Sequence, residues 1–190
     1  MLEQNTRDGQ DAHATLMPQS DPLYLRPHRI KVALLQPQIA PNTGNIARAC
    51  VTTGAQLHLV RPMGFILSDR NLRRSAMDYW PRLKLTVHDD SASFFDAVRK
   101  DGGAMWLFST KGTRSLWEVE FSESDWLIFG GETTGISPDI LRDHADRAVR
   151  IPQMPGERCL NLSTAVAVAL FESLRQVQSP TIAHSSKGRS

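Results

Sequence analysis

Apolar and polar positions fall into alternating blocks along this chain, and the blocks change period. "RIKVALL" (Arg29–Leu35) is a short β-rich run, and "QLHLV" (Gln56–Val60) and "LKLTV" (Leu83–Val87) repeat the pattern. "AMWLFST" (Ala104–Thr110) and "DWLIFG" (Asp125–Gly130) are almost continuously apolar, as parallel strands covered on both faces tend to be. Between them lie amphipathic stretches. After "QPQIAP", Asn42 or Thr43 is expected to cap a helix whose apolar positions Ile46, Ala47, Cys50 and Val51 keep helical spacing and which Gly54 ends. "SDRNLRRSAMDYW" reads as a helix capped by Ser68 or Asp69, and "SASFFDAVRK" as another, closed by Gly102-Gly103. Strand and helix alternate throughout, which predicts an α/β fold with a mostly parallel sheet flanked by helices.

The last helix differs from the others. Leu162, Ala165, Val166, Ala169, Leu170, Ser173, Leu174 and Val177 make one stripe, while Ala167, Val168 and Phe171 carry the apolar surface well round the cylinder. A helix of that kind is buried on most sides, either deep in its own core or against a second subunit.

A chain of 190 residues with 41% hydrophobic content can bury one sizeable core. Residues 1–28 are acidic-bearing and lack an apolar signal region, so they read as a disordered leader, and 179–190 as a flexible tail; the domain is expected over 29–178. The two cysteines, Cys50 and Cys159, stand far apart without metal-ligand spacing, so neither a disulfide framework nor a zinc site is expected. A cytoplasmic protein fits best. No run reaches the roughly 20 apolar residues of a membrane span.

The net charge of +2 decides little, but its distribution is informative. "RPMGFILSDRNLRRSAMDYWPRLK" sets Arg61, Arg70, Arg73, Arg74, Arg82 and Lys84 against Asp69 and Asp78 alone, with Phe65, Tyr79 and Trp80 interleaved. Guanidinium groups grip phosphates and aromatic faces stack on bases, so this is either an RNA-facing surface or a solvated helix face over a few core aromatics.

Three polar, glycine-bearing loops follow predicted strands: "FSTKGTRS", "GGETTGISPD" and "PQMPGERCLNLS". Ligand crevices in open α/β sheets lie outside the carboxyl ends of strands, so the three are candidates to line one pocket. Glu132 in the second is either a site residue or a cap for neighbouring amides, and Asn161 and Ser163 in the third are good helix caps as well as site candidates. A GxGxxG after the first strand and a GxxxxGK[ST] are both missing, which removes the main support for a dinucleotide or P-loop site.

In their order, "PNTGNIARAC", "FGGETTGIS" and "IPQMPGERCLNLSTAVAVALFE" resemble the three signature motifs of the SPOUT-class RNA ribose 2′-O-methyltransferases. Within that class the chain is most similar to the small single-domain enzymes that methylate the wobble-position ribose of certain tRNA anticodons, which "RPMGF" and "LRRSAMDYW" also resemble. The resemblance spans roughly residues 30–177.

It implies a C-terminal deep trefoil knot, an S-adenosylmethionine site within it, a homodimer, and the anticodon stem-loop of tRNA, cytidine or uridine, as substrate. Carried over by motif, the cofactor contacts fall on Phe108, Gly130, Ile151, Cys159 and Leu160, with Glu132 beside them. Cys159 stands where the family commonly has serine, which puts a side-chain hydroxyl contact there in doubt. Arg48 is the residue implicated in catalysis, Asn161 and Ser163 join it as positioning groups, and Asn45, Arg73 and Arg74 face the RNA. Arginine stays protonated, so Arg48 is read as gripping a phosphate and stabilising the developing 2′-alkoxide rather than as a base. Other readings are a methyltransferase acting on another tRNA or rRNA ribose, a non-catalytic RNA-binding module of the same fold, and a small nucleotide-binding regulator.

Overall fold

A computed structural model describes residues 23–67 and 77–178. Its strands are β1 (Lys31–Leu35), β2 (Gln56–Val60), β3 (Leu85–His88), β4 (Met105–Phe108), β5 (Arg114–Ser115), β6 (Trp126–Gly130) and β7 (Ala148–Arg150). They form one sheet in the order β3-β2-β1-β6-β4-β7-β5, and every pairing is parallel. Helices α1 (Ala40–Thr53) and α4 (Leu162–Gln178) cover one face. Helix α2 (Ser91–Asp101) and the short α3 (Pro138–Asp143) cover the other.

The period-2 alternation of the strands divides the core accordingly. Val32 and Leu34 of β1, Trp106 and Phe108 of β4, and Leu127 and Phe129 of β6 pack under α1 and α4. Their neighbours Ala33, Leu35, Leu107, Trp126 and Ile128 pack against Phe94 and Val98 of α2. Helix α1 buries Ile46, Ala47 and Cys50, and one fully buried isoleucine such as Ile46 contributes about 1.5–3 kcal/mol. Burial pushes the Cys50 thiol up to about 12, so it remains an inert thiol. Gly54 ends α1 with φ 84°, as expected, and Gly102 ends α2 in the same left-handed conformation, while Asp90 caps α2.

Three expectations need correction. Helix α1 starts at Ala40, so Asn42 and Thr43 lie in its first turn, and the N-cap position is Ile39, which has no capping side chain. The physical reason lies 93 residues downstream and is given below. The reading of Ser68 to Trp80 as one helix is replaced at its visible end by a 3₁₀ helix, Met77–Arg82, which Pro81 keeps from being α-helical. The rest of it, with Arg70, Arg73 and Arg74, lies outside the described residues, as do 1–22 and 179–190. Of the two readings of helix α4, burial deep in its own core is the one that needs correction, since Val168 is 39% and Phe171 57% exposed within this chain.

Two polar groups are buried where sequence patterning calls for apolar ones. Lys31, 3% exposed on β1, pairs with Asp101 and donates to the Ser124 carbonyl at 3.1 Å, while Asp101 also accepts the Trp126 indole N–H at 3.0 Å. His58 on β2 and His88 on β3 share a hydrogen bond, Nδ1 to Nε2, of 3.0 Å. Before the domain proper, Arg26 donates to the Val177 and Gln178 carbonyls at the end of α4 at 3.1 and 2.9 Å, so the last part of the expected leader is docked.

Candidate active site

All strands are parallel, so the loops after them emerge at one edge of the sheet. The chain places β1, β2 and β3 outward on one side, then crosses over and returns to set β6 beside β1. The loops after β1, β6, β4 and β7 therefore stand next to one another at a topological switch point, the position where open α/β sheets bind ligands. They enclose a cavity of about 580 Å³, within the range for a drug-sized or cofactor-sized molecule.

All six residues assigned to cofactor binding line this cavity: Phe108, Gly130, Glu132, Ile151, Cys159 and Leu160. Phe108 is held by stacking on Phe129, centroids 4.6 Å apart and planes at 10°. Gly130 leaves β6 so close to the returning turn that a Cβ there would lie 2.0 Å from the Gly135 carbonyl carbon; only glycine fits. The loop from Ile151 to Asn161 is braced by Gln153, whose Nε2 donates to the Arg158 carbonyl at 2.8 Å.

Glu132 is the missing cap of α1. Its carboxylate accepts the Gln38 and Ile39 amides at 2.8 and 3.3 Å and the Asn42 Nδ2 at 3.0 Å, placing a negative charge at the helix N-terminus where the macrodipole favours it. The run continues. Asn161 Nδ2 donates to Asn42 Oδ1 at 3.0 Å, and Asn161 Oδ1 accepts the Ser163 amide at 2.8 Å and its hydroxyl at 2.7 Å. A carboxylate can only accept, and the Ser163 amide can only donate, so both asparagine amides have one allowed orientation. Gln38 adds a second tie, its Oε1 accepting the Thr133 amide at 3.1 Å. Asn161 thus does cap α4 through Ser163, and it also reaches the first motif.

Arg48 and Asn45 are not in the cavity wall. Both are exposed, three residues apart on one side of α1, and Arg48 lies six residues beyond Asn42, roughly 9 Å further along the axis. Its guanidinium rests on the Tyr79 ring, 5.1 Å from the centroid. Arg73 and Arg74 lie outside the described residues; Arg61 of the same basic segment is exposed and pairs with Asp89 at 3.0 Å. Asn42, Gln38 and Ile39 were missed as site residues. Asn42 stands inside the quoted first motif, but an asparagine before a helix reads as a local cap. Its distant partner is invisible in the linear chain.

The SpoU rRNA methylase family matches residues 29–171. The chain belongs to this family. Among curated relatives, it is 43% identical over 146 residues to a tRNA (cytidine(34)-2′-O)-methyltransferase of Burkholderia pseudomallei, covering 76% of this chain and 94% of that one. A protein of the same name from Escherichia coli K12 is 40% identical over 152 residues, 80% and 96% of the two chains. Among solved structures, one described as giving insight into 2-OH methylation of C/U34 on tRNA superposes with TM-score 0.75 at 41% identity, over 78% of this chain and 96% of that one. An AdoMet-bound rRNA methyltransferase from Sinorhizobium meliloti superposes with TM-score 0.72 at 25% identity, over 80% of this chain and 57% of that one.

Proposed function

We propose that this chain transfers a methyl group from S-adenosylmethionine to the ribose 2′-hydroxyl of the wobble nucleotide, cytidine or uridine, in tRNA anticodons. The observation that carries the reading is the single run of hydrogen bonds, Glu132 to Asn42 to Asn161, that joins all three motif loops at the wall of one cavity. The names of relatives 40–45% identical over most of the chain supply the nucleotide and the atom.

The cavity fits the methyl donor. Phe108, Ile151 and Leu160 offer apolar surface for a purine, while the glycine-bearing loop after β6 and the loop after β7 present backbone donors and acceptors for its polar edge and the amino-acid end. S-adenosylmethionine supplies an electrophilic methyl group on a sulfonium, which a ribose oxygen attacks in line. The protein's part is position and charge. Glu132, Asn42 and Asn161 hold the loops in register. Arg48, protonated throughout, grips the substrate phosphate beside the target ribose and stabilises the oxygen as its proton leaves. Ser163 acts through Asn161, to which its hydroxyl donates.

The same reading includes a homodimer, a C-terminal trefoil knot and a cytoplasmic setting. Exposed Val168 and Phe171 on the apolar α4 support the dimer. Insertion of β7 between β4 and β5, followed by return of the chain to pack α4 on α1, supports a threaded C-terminus. Asn45, Arg73 and Arg74 face the RNA.

The deciding experiment is nucleoside mass spectrometry of tRNA incubated with the protein and S-adenosylmethionine, with the modified position mapped. A 2′-O-methylated nucleoside at position 34 is expected. Methylation of a base, of another position, or of nothing refutes the proposal.

A further inference from the structure

We propose that Tyr79 is a positioning residue for Arg48, and that Arg82, held on the same ring, is a second phosphate grip for the RNA; this rests on the methyl-transfer reading above. Two guanidinium groups share one tyrosine: the Arg48 carbon lies 5.1 Å and the Arg82 carbon 5.3 Å from the Tyr79 ring centroid. Tyr79 sits in the 3₁₀ helix Met77–Arg82, which lies beside α1, and the next residue, Trp80, packs half-buried against the core under α1. Trp80 thus anchors to the core the 3₁₀ helix that carries Tyr79. Its hydroxyl has no hydrogen-bond partner among the described residues, so what it presents to both cations is its π face.

The charge balance shows what the pair is built for. Among the described residues, Arg61, Arg99, Arg142, Arg147 and Arg175 each rest against a carboxylate. Among the described residues Arg48 and Arg82 have no carboxylate partner, and neither do exposed Arg26, Arg29, Arg114, Arg150 and Arg158; what sets Arg48 and Arg82 apart is that two such unpaired guanidinium groups meet on one ring. Trp106 makes a useful contrast: Arg114 and Arg147 also lie over it, at 5.6 and 5.2 Å, but it is buried, its indole N–H is bound to Asp125, and Arg147 pairs with Asp146. There one of the two cations is paired with a carboxylate and the ring itself is buried and tied by its N–H. At Tyr79 two exposed like charges are gathered with no counter-charge among the described residues, and an anion that meets both relieves their repulsion. A phosphodiester chain, with regularly spaced negative oxygens suited to bidentate guanidinium contact, is the ligand of that chemistry. Asn45, exposed one turn earlier on α1, continues the polar surface toward the end of the helix that lines the cavity.

The test compares Tyr79→Leu, Tyr79→Phe and Arg82→Ala with the unaltered protein, using tRNA methyl transfer under steady-state conditions, S-adenosylmethionine affinity by calorimetry, and RNA affinity against salt. Tyr79→Leu is expected to lower kcat by about two- to fivefold, as loss of a cation–π contact at an exposed site implies, with donor affinity unchanged. Tyr79→Phe recovers most of that loss. Arg82→Ala raises KM for the RNA and reduces the slope of log affinity against log salt by about 0.7, the value for one phosphate contact on a single strand. Equal kcat in Tyr79→Leu and the unaltered protein, failure of Tyr79→Phe to recover activity, or an unchanged salt slope in Arg82→Ala overturns the inference alone. An unaltered protein that transfers no methyl overturns it together with the reading on which it rests.

Discussion

Acid should weaken this fold through His58 as the pH falls from 6.5 toward 4. His58 is 7% exposed, its Nδ1 is hydrogen-bonded to His88, its Nε2 is buried without a hydrogen-bond partner among the described residues, and the Trp126 ring lies 4.6 Å away edge-on. Burial first, then the neighbouring His88 and Lys31 charges, hold its pKa down from 6.5 to about 4; Asp101 opposes the shift but does not reverse it. His88 is shifted the same way by burial, with Asp89 opposing. The sign follows from where the proton goes. Above pH 6.5 His58 is neutral folded or unfolded and costs nothing, whereas between pH 6.5 and 4 the unfolded chain binds a proton that the folded one refuses, so stability falls as pH falls. At about 1.36 kcal/mol per unit the full loss is about 3 kcal/mol by pH 4, and about 2 kcal/mol between pH 7.5 and pH 5. For a domain of this size that is a fall in Tm of about 4–8 °C over the same interval. The assay is urea and thermal unfolding at both pH values for the unaltered protein and for His58→Gln, which keeps a polar partner for His88 but cannot titrate. The variant should lose about 2 kcal/mol less than the unaltered protein over that interval. Parallel pH profiles, or an NMR titration showing His58 protonated at pH 5 in the folded state, would refute the reasoning.

Four shorter predictions concern the site. Glu132→Gln turns an acceptor toward three donors into a half-donor, and should cost about 1.5–3 kcal/mol in unfolding free energy and weaken S-adenosylmethionine binding; an unchanged Tm contradicts the trans-capping role. Gly130→Ala forces a Cβ against the Gly135 carbonyl carbon, and calorimetry should show donor affinity reduced at least about tenfold, the equivalent of 1.4 kcal/mol. Arg48→Ala should abolish methyl transfer while leaving donor affinity nearly intact, because the residue stands outside the cavity wall; a large drop in that affinity would contradict the role. Replacing Arg73 and Arg74 together by alanine should weaken tRNA binding and flatten its salt dependence, and an unchanged slope would remove them from the RNA surface.

Elements whose cause is local were legible in the linear chain. The strands Lys31–Leu35 and Trp126–Gly130 declare themselves by the apolar runs VALL and WLIF within them, and Gly54 and Gly102 end their helices because only a residue without Cβ takes φ near +80° cheaply. The convergence of the three loops was legible too, since Phe108, Gly130, Glu132, Ile151, Cys159 and Leu160, picked out by resemblance to family motifs, do line one cavity. What escaped is what depends on partners far along the chain. An N-cap of Ile39 looks like an error until Glu132 arrives from the loop after β6, and Asn42 looks like a local cap until Asn161 donates to it across 119 residues. His58 reads as an ordinary strand residue and His88 falls just past an expected strand until β2 and β3 set them side by side, and Tyr79 and Arg48 meet only because a 3₁₀ helix docks beside α1. Periodicity and caps are written in neighbours, so sequence determines them; strand order decides which distant polar groups meet in a low-dielectric interior, and only the folded chain has a strand order.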